Sequence, residues 1–368
     1  MQRITQLQLV LMVILFHFST ATGFMISPLA SMGSYQGWVV LLVAAVGGLL
    51  VTGISVFLAR QKPNEFIAHY GKQLIGRFPH VAIMIAVVFY FVHVAALVLR
   101  QITDFLVQVY LPTTPQWVVA GLFGLTVSIA VRSGIEAIFR CASGFFFVIM
   151  CTSSLAPFAV GQELEFDRAI AFITHMDPVK LWSASYPFVP WFGEMFLILF
   201  IFPYIAEPEK TFRSLFWSTM AGVGFIGLNY IMCILMFGPH MTENLTYPVL
   251  EMIRFMRIGD FLQNLDPFLV AIWMASVFVK TSLLLYTPVL IVSQLFGLKD
   301  ARPLSFSFGA IMLGFAISMA KNYVDLQYFI LYTWPTFALV MESSPLIYLA
   351  AAFIRKRKFL PAGMFTKS

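Results

Sequence analysis

Charged residues are scarce in this chain of 368 residues: Asp, Glu, Lys and Arg together make up only 11% of it, whereas 60% is hydrophobic. A soluble domain carries about 25% charged residues, because its surface must be hydrated. The composition therefore excludes a soluble enzyme, a disordered chain and a nucleic-acid binder, in spite of the net charge of +6. It predicts that the lipid bilayer is the solvent for most of the sequence.

Cysteine and the short signatures of enzymes are also sparse or missing. The three cysteines, Cys141, Cys151 and Cys233, lie apart in apolar runs, a spacing that fits neither a metal site nor a disulfide framework. No HExxH, GxSxG, P-loop or GxGxxG motif occurs in the sequence. We therefore expect no enzymatic activity, no bound metal and no cofactor.

Long apolar runs make up most of the chain. A helix needs about 20 apolar residues to cross a bilayer, and the runs do not alternate with the period of two that strands require. The ten candidate spans are residues 7–30, 37–59, 80–106, 115–132, 139–161, 187–206, 214–238, 267–296, 304–321 and 324–354. The sequence thus predicts an all-α integral membrane protein with ten transmembrane helices in one domain, residues 1–368. In the 60–79 connection, polar and apolar residues alternate at helical spacing, which predicts a short interfacial helix.

Lys and Arg are unequally distributed between the two sides of these spans. With a cytoplasmic N-terminus, sixteen fall on the cytoplasmic side, six on the outer side and Lys280 within a span, which accounts for all 23. Cytoplasmic loops carry the excess of basic residues in membrane proteins. Both termini are therefore predicted to be cytoplasmic, with residues 355–368 as a basic tail against anionic membrane lipid.

The spans divide into two halves of five, residues 7–161 and 187–354. Because five is odd, the second half enters the membrane from the opposite side, as in the inverted repeats of many secondary transporters. Small or helix-breaking residues interrupt the first span of each half: Ser19–Gly23 and Pro28 in span one, and Pro187, Pro190, Gly193 and Pro203 in span six. Broken helices at membrane depth are tolerated where they line a cavity. Discontinuous helices 1 and 6 around a central small-molecule site are therefore predicted.

Short motifs along nearly the whole chain resemble those of one known family. In order, they are Ile4-Thr-Gln-Leu-Gln8, Gly23, Leu111-Pro-Thr-Thr-Pro115, Gly134-Ile-Glu136 with Arg140, Phe192-Gly-Glu194, Phe202-Pro203, Phe237-Gly238, Tyr247-Pro248, and Phe278-Val-Lys280 with Tyr286. Each motif alone is weak. Their order and spacing in a ten-span chain resemble the B subunits of spore germinant receptors, the GerAB-like family of the amino acid–polyamine–organocation superfamily.

This resemblance implies a LeuT-like fold and residence in the spore inner membrane. It also implies a receptor complex with an A subunit and a lipoprotein C subunit, in which this chain senses a germinant, often an amino acid. An active amino acid permease, proton-coupled or exchanging, would use the same pocket and is the alternative function. The apolar side chains expected around the pocket favour a small neutral amino acid and leave sugars and nucleosides open.

Residues of spans one, three, six and eight are predicted to form the ligand site. Freed backbone in span one and the start of the second half-helix of span six would hold the ligand's carboxylate, because helix N-termini favour anions. The predicted ligand-binding residues are Thr20, Ala21, Thr22, Gly23, Phe24, Leu97, Gly193, Glu194, Leu197, Ser276 and Thr287. For Glu194 the sequence leaves two roles open, a ligand or proton site and a structural carboxylate.

Ionisable residues deep in a span cost at least about 2.5 kcal/mol on insertion scales, so each requires an explanation. Lys280 lies too far from either interface to snorkel. In sodium-coupled LeuT-like proteins spans one and eight form a sodium site, so we expect the Lys280 ammonium to replace the sodium at the freed carbonyls of Ser19–Thr22. A helix-packing contact unrelated to that site is the alternative. His17 and His93 are expected to be neutral structural histidines, and Glu342 a capped carboxylate at a local kink.

Overall fold

A computed structural model describes residues 3–255 and 266–354, and the regular structure there is helical apart from one parallel bridge, Ile4 with Ile205. In these ranges nine helices are long and apolar enough to cross a membrane. The shorter apolar helix Leu304–Ser318 lies at the predicted ninth span. The prediction of an all-α membrane protein with ten spans is confirmed. The predicted basic tail lies outside the described residues.

The first half contains five spans. They are Gln6–Phe24 continued by Ile26–Gly33, then Gly37–Arg60, Arg77–Val109, Gln116–Ser133 and Ile135–Val160. A short helix, Ile67–Ile75, connects the second span to the third, where the sequence predicts one. It buries a face that includes Ile67, Tyr70 and Leu74 and leaves Lys72 and Gln73 exposed, as an amphipathic helix should.

The second half also contains five spans. They are Pro178–Tyr204, Thr211–Asn244, Asp266–Phe296, Leu304–Ser318 and Tyr323–Ile354. A further short helix, Pro248–Arg254, lies between the seventh and eighth spans. The seventh span is kinked at Gly238, whose positive φ of 74° is a conformation that glycine adopts without strain. The boundaries of the two inverted repeats stay predictions.

The sixth span is discontinuous, as predicted. Three short 3₁₀ turns interrupt it, Tyr186–Phe188, Glu194–Leu197 and Phe202–Tyr204. Each turn contains or directly follows one of the predicted helix breakers, Pro187, Gly193 and Pro203. Proline removes an N–H donor, and glycine weakens a helix by about 1 kcal/mol, so the backbone here tightens locally instead of continuing as α-helix.

The first span is also interrupted, but two residues beyond the predicted position. The α-helix runs without a break from Gln6 to Phe24, and the interruption lies at Met25, before Ile26–Gly33. The backbone of Thr20–Gly23 is therefore helical, so the prediction of freed backbone at these residues is wrong, whereas a ligand carboxylate near spans one and six stays a prediction. Small and hydroxyl-bearing residues are tolerated in a buried helix, and here they allow close packing without opening the backbone.

The N-terminal segment joins the two halves of the molecule. Ile4 donates its N–H to the Tyr204 carbonyl (2.7 Å) and accepts from the Ala206 N–H (2.9 Å), on either side of Ile205. Thr5 and Gln8 then form a capping box that starts the first span. The opening motif of the chain thus begins one broken span and fastens it to the end of the other.

Candidate ligand cavity and buried charge cluster

A cavity of about 70 Å³ lies beside the first span, and we call it the Trp273 cavity. Spans one, three, five, seven and eight and the helix Pro248–Arg254 contribute its walls. Thr22 and Gly23 are the predicted site residues that line it, together with Phe105, Asn229 and Trp273. The cavity therefore lies where span one was predicted to meet a ligand, but span six does not border it.

Most of the cavity wall is apolar, and none of its lining residues in the described ranges is charged. The hydroxyl of Thr22 has no hydrogen-bond partner there, although Thr22 is buried. Asn229 donates its side-chain N–H to the Phe225 carbonyl of its own helix (2.8 Å). Buried polar groups normally have partners, so the unpaired Thr22 hydroxyl is the candidate among the lining residues for a hydrogen bond to a bound molecule.

An aromatic layer closes the inner end of this cavity. Trp273 packs against Gly23 so closely that a Cβ there would lie 2.8 Å from a ring carbon, and its indole N–H donates to the Ser19 carbonyl (2.7 Å). Phe105 contacts Trp273 and Tyr247 with ring centroids 5.3 Å and 4.8 Å apart. Gly23 is required here because a side chain would collide with the indole.

A second group of residues, two turns of the eighth span away from Trp273, forms a charge cluster: Thr20, Tyr90, Glu194, Lys280 and Glu342. Lys280 Nζ lies 2.8 Å from a Glu194 carboxylate oxygen and donates a hydrogen bond to the Thr20 hydroxyl (2.8 Å). The ammonium also lies 4.5 Å from the centre of the Phe16 ring. Lys280 thus reaches span one, as predicted, but through the Thr20 side chain and not through freed carbonyls.

Glu342 on the tenth span completes the charge cluster. It accepts a hydrogen bond from the Tyr90 hydroxyl on the third span (2.7 Å), and its second oxygen lies against Gly193. The helix does end at Glu342, so the predicted kink exists. The carboxylate does not cap that kink, however, because it points across the bundle toward spans three and six.

The remaining ionisable residues of the spans behave as structural groups. His17 is buried and lies 3.3 Å from the Thr219 hydroxyl, and His93 is surrounded by aromatic rings that include Phe89 and Phe337. Arg100 forms a buried pair with Asp104 (2.9 Å) and donates to the carbonyls at the end of the ninth span. These contacts fix helices to one another.

The predicted ligand-binding residues therefore separate into three groups. Thr22 and Gly23 line the Trp273 cavity, whereas Thr20, Gly193 and Glu194 lie in or against the charge cluster. The others are buried and are not among the residues that line this cavity: Ala21, Phe24, Leu97, Leu197, Ser276 and Thr287. The hydroxyls of Ser276 and Thr287 donate hydrogen bonds to carbonyls of their own helix. A ligand-binding role for these residues stays a prediction.

Sequence reasoning missed three functional candidates: Trp273, Tyr90 and Asn229. Trp273 lies near the start of the predicted eighth span, where tryptophan is common because of its preference for the membrane interface. The sequence shows Trp273 in span eight and Gly23 in the broken first span. Only tertiary packing brings the two residues into contact. Tyr90 and Asn229 lie in apolar runs that gave no indication of their partners.

Two solved transporter structures share this arrangement of helices. MhsT in complex with L-phenylalanine superimposes with a TM-score of 0.60 and 13% identity, over 96% of this chain and 99% of that chain. The second structure is Mhp1, a nucleobase-cation-symport-1 family transporter in a closed conformation with bromovinylhydantoin bound. It superimposes with a TM-score of 0.57 and 14% sequence identity, over 98% of this chain and 80% of that chain. The likeness shows the fold alone: a LeuT-like permease fold in a multi-pass integral membrane protein.

A model of the family described as "Spore germination protein" matches residues 3–324. The chain belongs to this family of spore germination proteins. Spore germination protein KB of Bacillus subtilis (strain 168) is 26% identical over 335 residues, which cover 88% of this chain and 87% of that protein. Spore germination protein XB of Bacillus anthracis is 21% identical over 255 residues, 68% of this chain and 70% of that protein.

These findings confirm the expected family and the expected LeuT-like fold. They define a germination-related, permease-like membrane protein, and proteins of this kind are not enzymes.

Proposed function

We propose that this chain is the germinant-sensing membrane subunit of a spore nutrient germinant receptor. It binds a small molecule without net charge in the Trp273 cavity, and the proposed ligand is an amino acid. The observation that carries the proposal is a cavity beside the first broken span in a chain of the spore germination family. Thr22, whose buried hydroxyl has no hydrogen-bond partner among the described residues, is one of the residues that line this cavity.

The lining of the cavity favours a ligand without net charge. A ligand with a net charge would lose its hydration there and gain no opposite charge from the lining residues that the structure describes. Apolar contacts and a few polar groups that fix orientation are typical of small-molecule sites. A free amino acid with an apolar side chain has no net charge, because its ammonium and carboxylate cancel, and its side chain suits the apolar wall.

The receptor would work in the spore inner membrane together with an A subunit and a lipoprotein C subunit. Family membership and the resemblance of the motifs support this assembly, and the excess of basic residues on one side supports cytoplasmic termini. Lys280 would brace spans one and eight in place of a sodium ion. Its contacts with Thr20 and Glu194 support that role, which predicts a response that does not require sodium.

The experiment replaces Thr22 with valine in a spore former that carries this protein. Valine has the shape of threonine, and the lost hydroxyl has no protein partner, so the fold should be unchanged. Thr52→Val is the matched control, because its buried hydroxyl bonds the Gly48 carbonyl of its own helix on span two, away from the cavity. Spores are tested with L-alanine, L-leucine, L-phenylalanine, glucose and inosine, with receptor abundance measured by immunoblot.

We expect Thr22→Val to raise the concentration needed for half-maximal germination about fivefold, since one hydrogen bond to a ligand is worth about 1 kcal/mol. Thr52→Val should respond as the wild type does. An unchanged dose response of Thr22→Val at normal abundance would remove Thr22 from the site.

The fold also favours a second function, an active amino acid permease, because both solved relatives in fold are transporters. Uptake distinguishes the two functions. Accumulation of radiolabelled amino acid in vesicles that contain this subunit alone would favour the permease, whereas binding without uptake would favour the sensor.

A further inference from the structure

The charges of the buried cluster do not balance. Lys280, Glu194 and Glu342 are 1%, 3% and 0% exposed. With all three ionised, the cluster would carry one positive and two negative charges. The salt bridge between Lys280 and Glu194 uses the ammonium, and Glu342 forms no salt bridge within the described part of the chain.

The two oxygens of Glu342 have different surroundings. Oε1 accepts the hydrogen bond from Tyr90, whereas Oε2 is fully buried and has no hydrogen-bond partner among the described residues. Oε2 instead lies against the backbone at Gly193, where a Cβ atom would collide with it. A buried carboxylate oxygen with neither a donor nor a counter-ion is the least favourable polar group in this part of the molecule.

Such a carboxylate is neutralised more easily than it is solvated. Transfer of an isolated ionised carboxylate into a low-dielectric interior costs so much that the group binds a proton instead. The cost of an ionised carboxylate is greater still within a membrane-spanning bundle, because polar groups there must be satisfied inside the protein.

We propose that Glu342 is a proton-binding site: one proton, carried on Oε2, completes the charge balance of the cluster and holds spans three, six and ten together. The proton is taken from water and returned to water, and no other bond changes. The titratable groups that face Glu342 are Tyr90 on span three, Glu194 on span six and Lys280 on span eight, while His17 on span one faces Lys280. No metal cation is needed.

A mechanical consequence follows from the contacts of Glu342. Its neutral form is stable only while Gly193 covers Oε2 and Tyr90 bonds Oε1. Movement of span ten away from span six would admit water to the carboxylate, which would then release its proton. A conformational change of the receptor that opens this contact is therefore linked to release of one proton. The inference concerns the charge cluster and does not depend on the ligand cavity.

Infrared difference spectroscopy of the purified, full-length protein tests this assignment. The carbonyl stretching band of a protonated carboxylic acid is recorded at neutral pH for the wild type, Glu342→Gln, Glu194→Gln and Glu136→Gln. Glutamine keeps the size and neutrality of the protonated glutamate, so Glu342→Gln should fold, which its thermal unfolding checks. Glu136 is the matched control, because it pairs with Arg140 on the same helix at a partly exposed position.

We expect the band in the wild type and in Glu136→Gln and its loss in Glu342→Gln. In Glu194→Gln the band should weaken or disappear, because Lys280 and an ionised Glu342 then balance each other's charge without the proton. Absence of the band from the wild type, or its persistence in Glu342→Gln, would overturn the proposal. Loss in Glu194→Gln with retention in Glu342→Gln would also overturn it, by placing the proton on the other carboxylate. Replacement of choline chloride by sodium chloride at constant ionic strength should leave the band unchanged, and its disappearance would show that a cation occupies the site instead.

Discussion

Lys280 shows how a single buried charge determines its neighbourhood. A bare ammonium in the middle of a span is too costly, so the packing of spans one and six must provide partners. Thr20 supplies a hydroxyl and Glu194 a carboxylate, each 2.8 Å from Nζ. Removal of one member of such a buried pair leaves the other charge uncompensated, whereas removal of both does not.

The first prediction is a double-mutant cycle on this pair. Lys280→Met should lower the stability of the protein by about 3–5 kcal/mol, because Glu194 is left buried without its cation. Glu194→Gln should destabilise it similarly, and the double variant Lys280→Met/Glu194→Gln should recover most of the loss. Thermal unfolding of the purified protein in detergent measures all four states. A double variant no more stable than Lys280→Met would show that the two charges are not coupled.

The residues of the charge cluster were predictable to different degrees. Lys280 and Glu194 are conspicuous in sequence, because charges inside apolar runs are rare, and a contact of Lys280 with span one was expected. Glu342 was equally visible, but its partner Tyr90 lies 252 residues away. No local pattern indicates that spans three and ten meet at this height, since that follows from the packing of the whole bundle.

At the scale of elements, the broken sixth span is held by close contact with the second span. Gly48 allows this approach: a Cβ there would lie 2.6 Å from the Phe192 carbonyl carbon and 2.8 Å from the Gly193 nitrogen. Small residues let membrane helices pack backbone against backbone. The 3₁₀ turn that begins at Glu194 is therefore buttressed from outside by span two.

The second prediction concerns this buttress. Gly48→Ala should destabilise the protein by about 1–3 kcal/mol, because backbone atoms of span six must move to admit the methyl group. Gly144→Ala on span five is the matched control, since no atom lies within 4 Å of its added Cβ. Unfolding midpoints of the two variants, compared with that of the wild type, provide the measurement. Equal midpoints for Gly48→Ala and Gly144→Ala would contradict close packing of spans two and six.

Elements were predicted well where their cause is local. Hydropathy located the ten spans, and proline and glycine located the turns of the sixth. The predicted position of the break in the first span was wrong by two residues, since the helix ends before Met25. The residues of Ser19–Gly23 permit a break without requiring one. The π-helical turn Phe329–Thr333 in the tenth span was not predicted. It precedes Pro335, whose missing N–H releases the regular hydrogen-bond pattern.

At the scale of the whole molecule, the two membrane faces differ. On the N-terminal face, Ile4 pairs with the segment after span six, and Tyr204 packs on Phe66 with ring centroids 5.5 Å apart. The Trp273 cavity lies toward the other face, beside Phe105 near the end of span three and Leu269 near the start of span eight.

The orientation of these faces in the membrane leads to the last prediction. The sequence predicts sixteen of the 23 basic residues for the N-terminal face, five of them beyond the described residues, which favours a cytoplasmic position for that face. Glu209, in the exposed turn after span six, should then be cytoplasmic, and His240, whose side chain is 92% exposed, should be on the outer side. The exposed Cys141 and Cys151 are first replaced by serine.

Single cysteines at positions 209 and 240 are then labelled with a membrane-impermeant maleimide in intact cells that express the protein. We expect His240→Cys to react at once and Glu209→Cys only after permeabilisation, because the two positions lie at opposite ends of the seventh span, position 240 beyond its kink at Gly238. Labelling of both from outside would contradict the odd number of crossings between them. The reverse pattern would place the Trp273 cavity toward the cytoplasm, where a nutrient from outside the spore could not reach it directly, and would remove the sensing role proposed for that cavity.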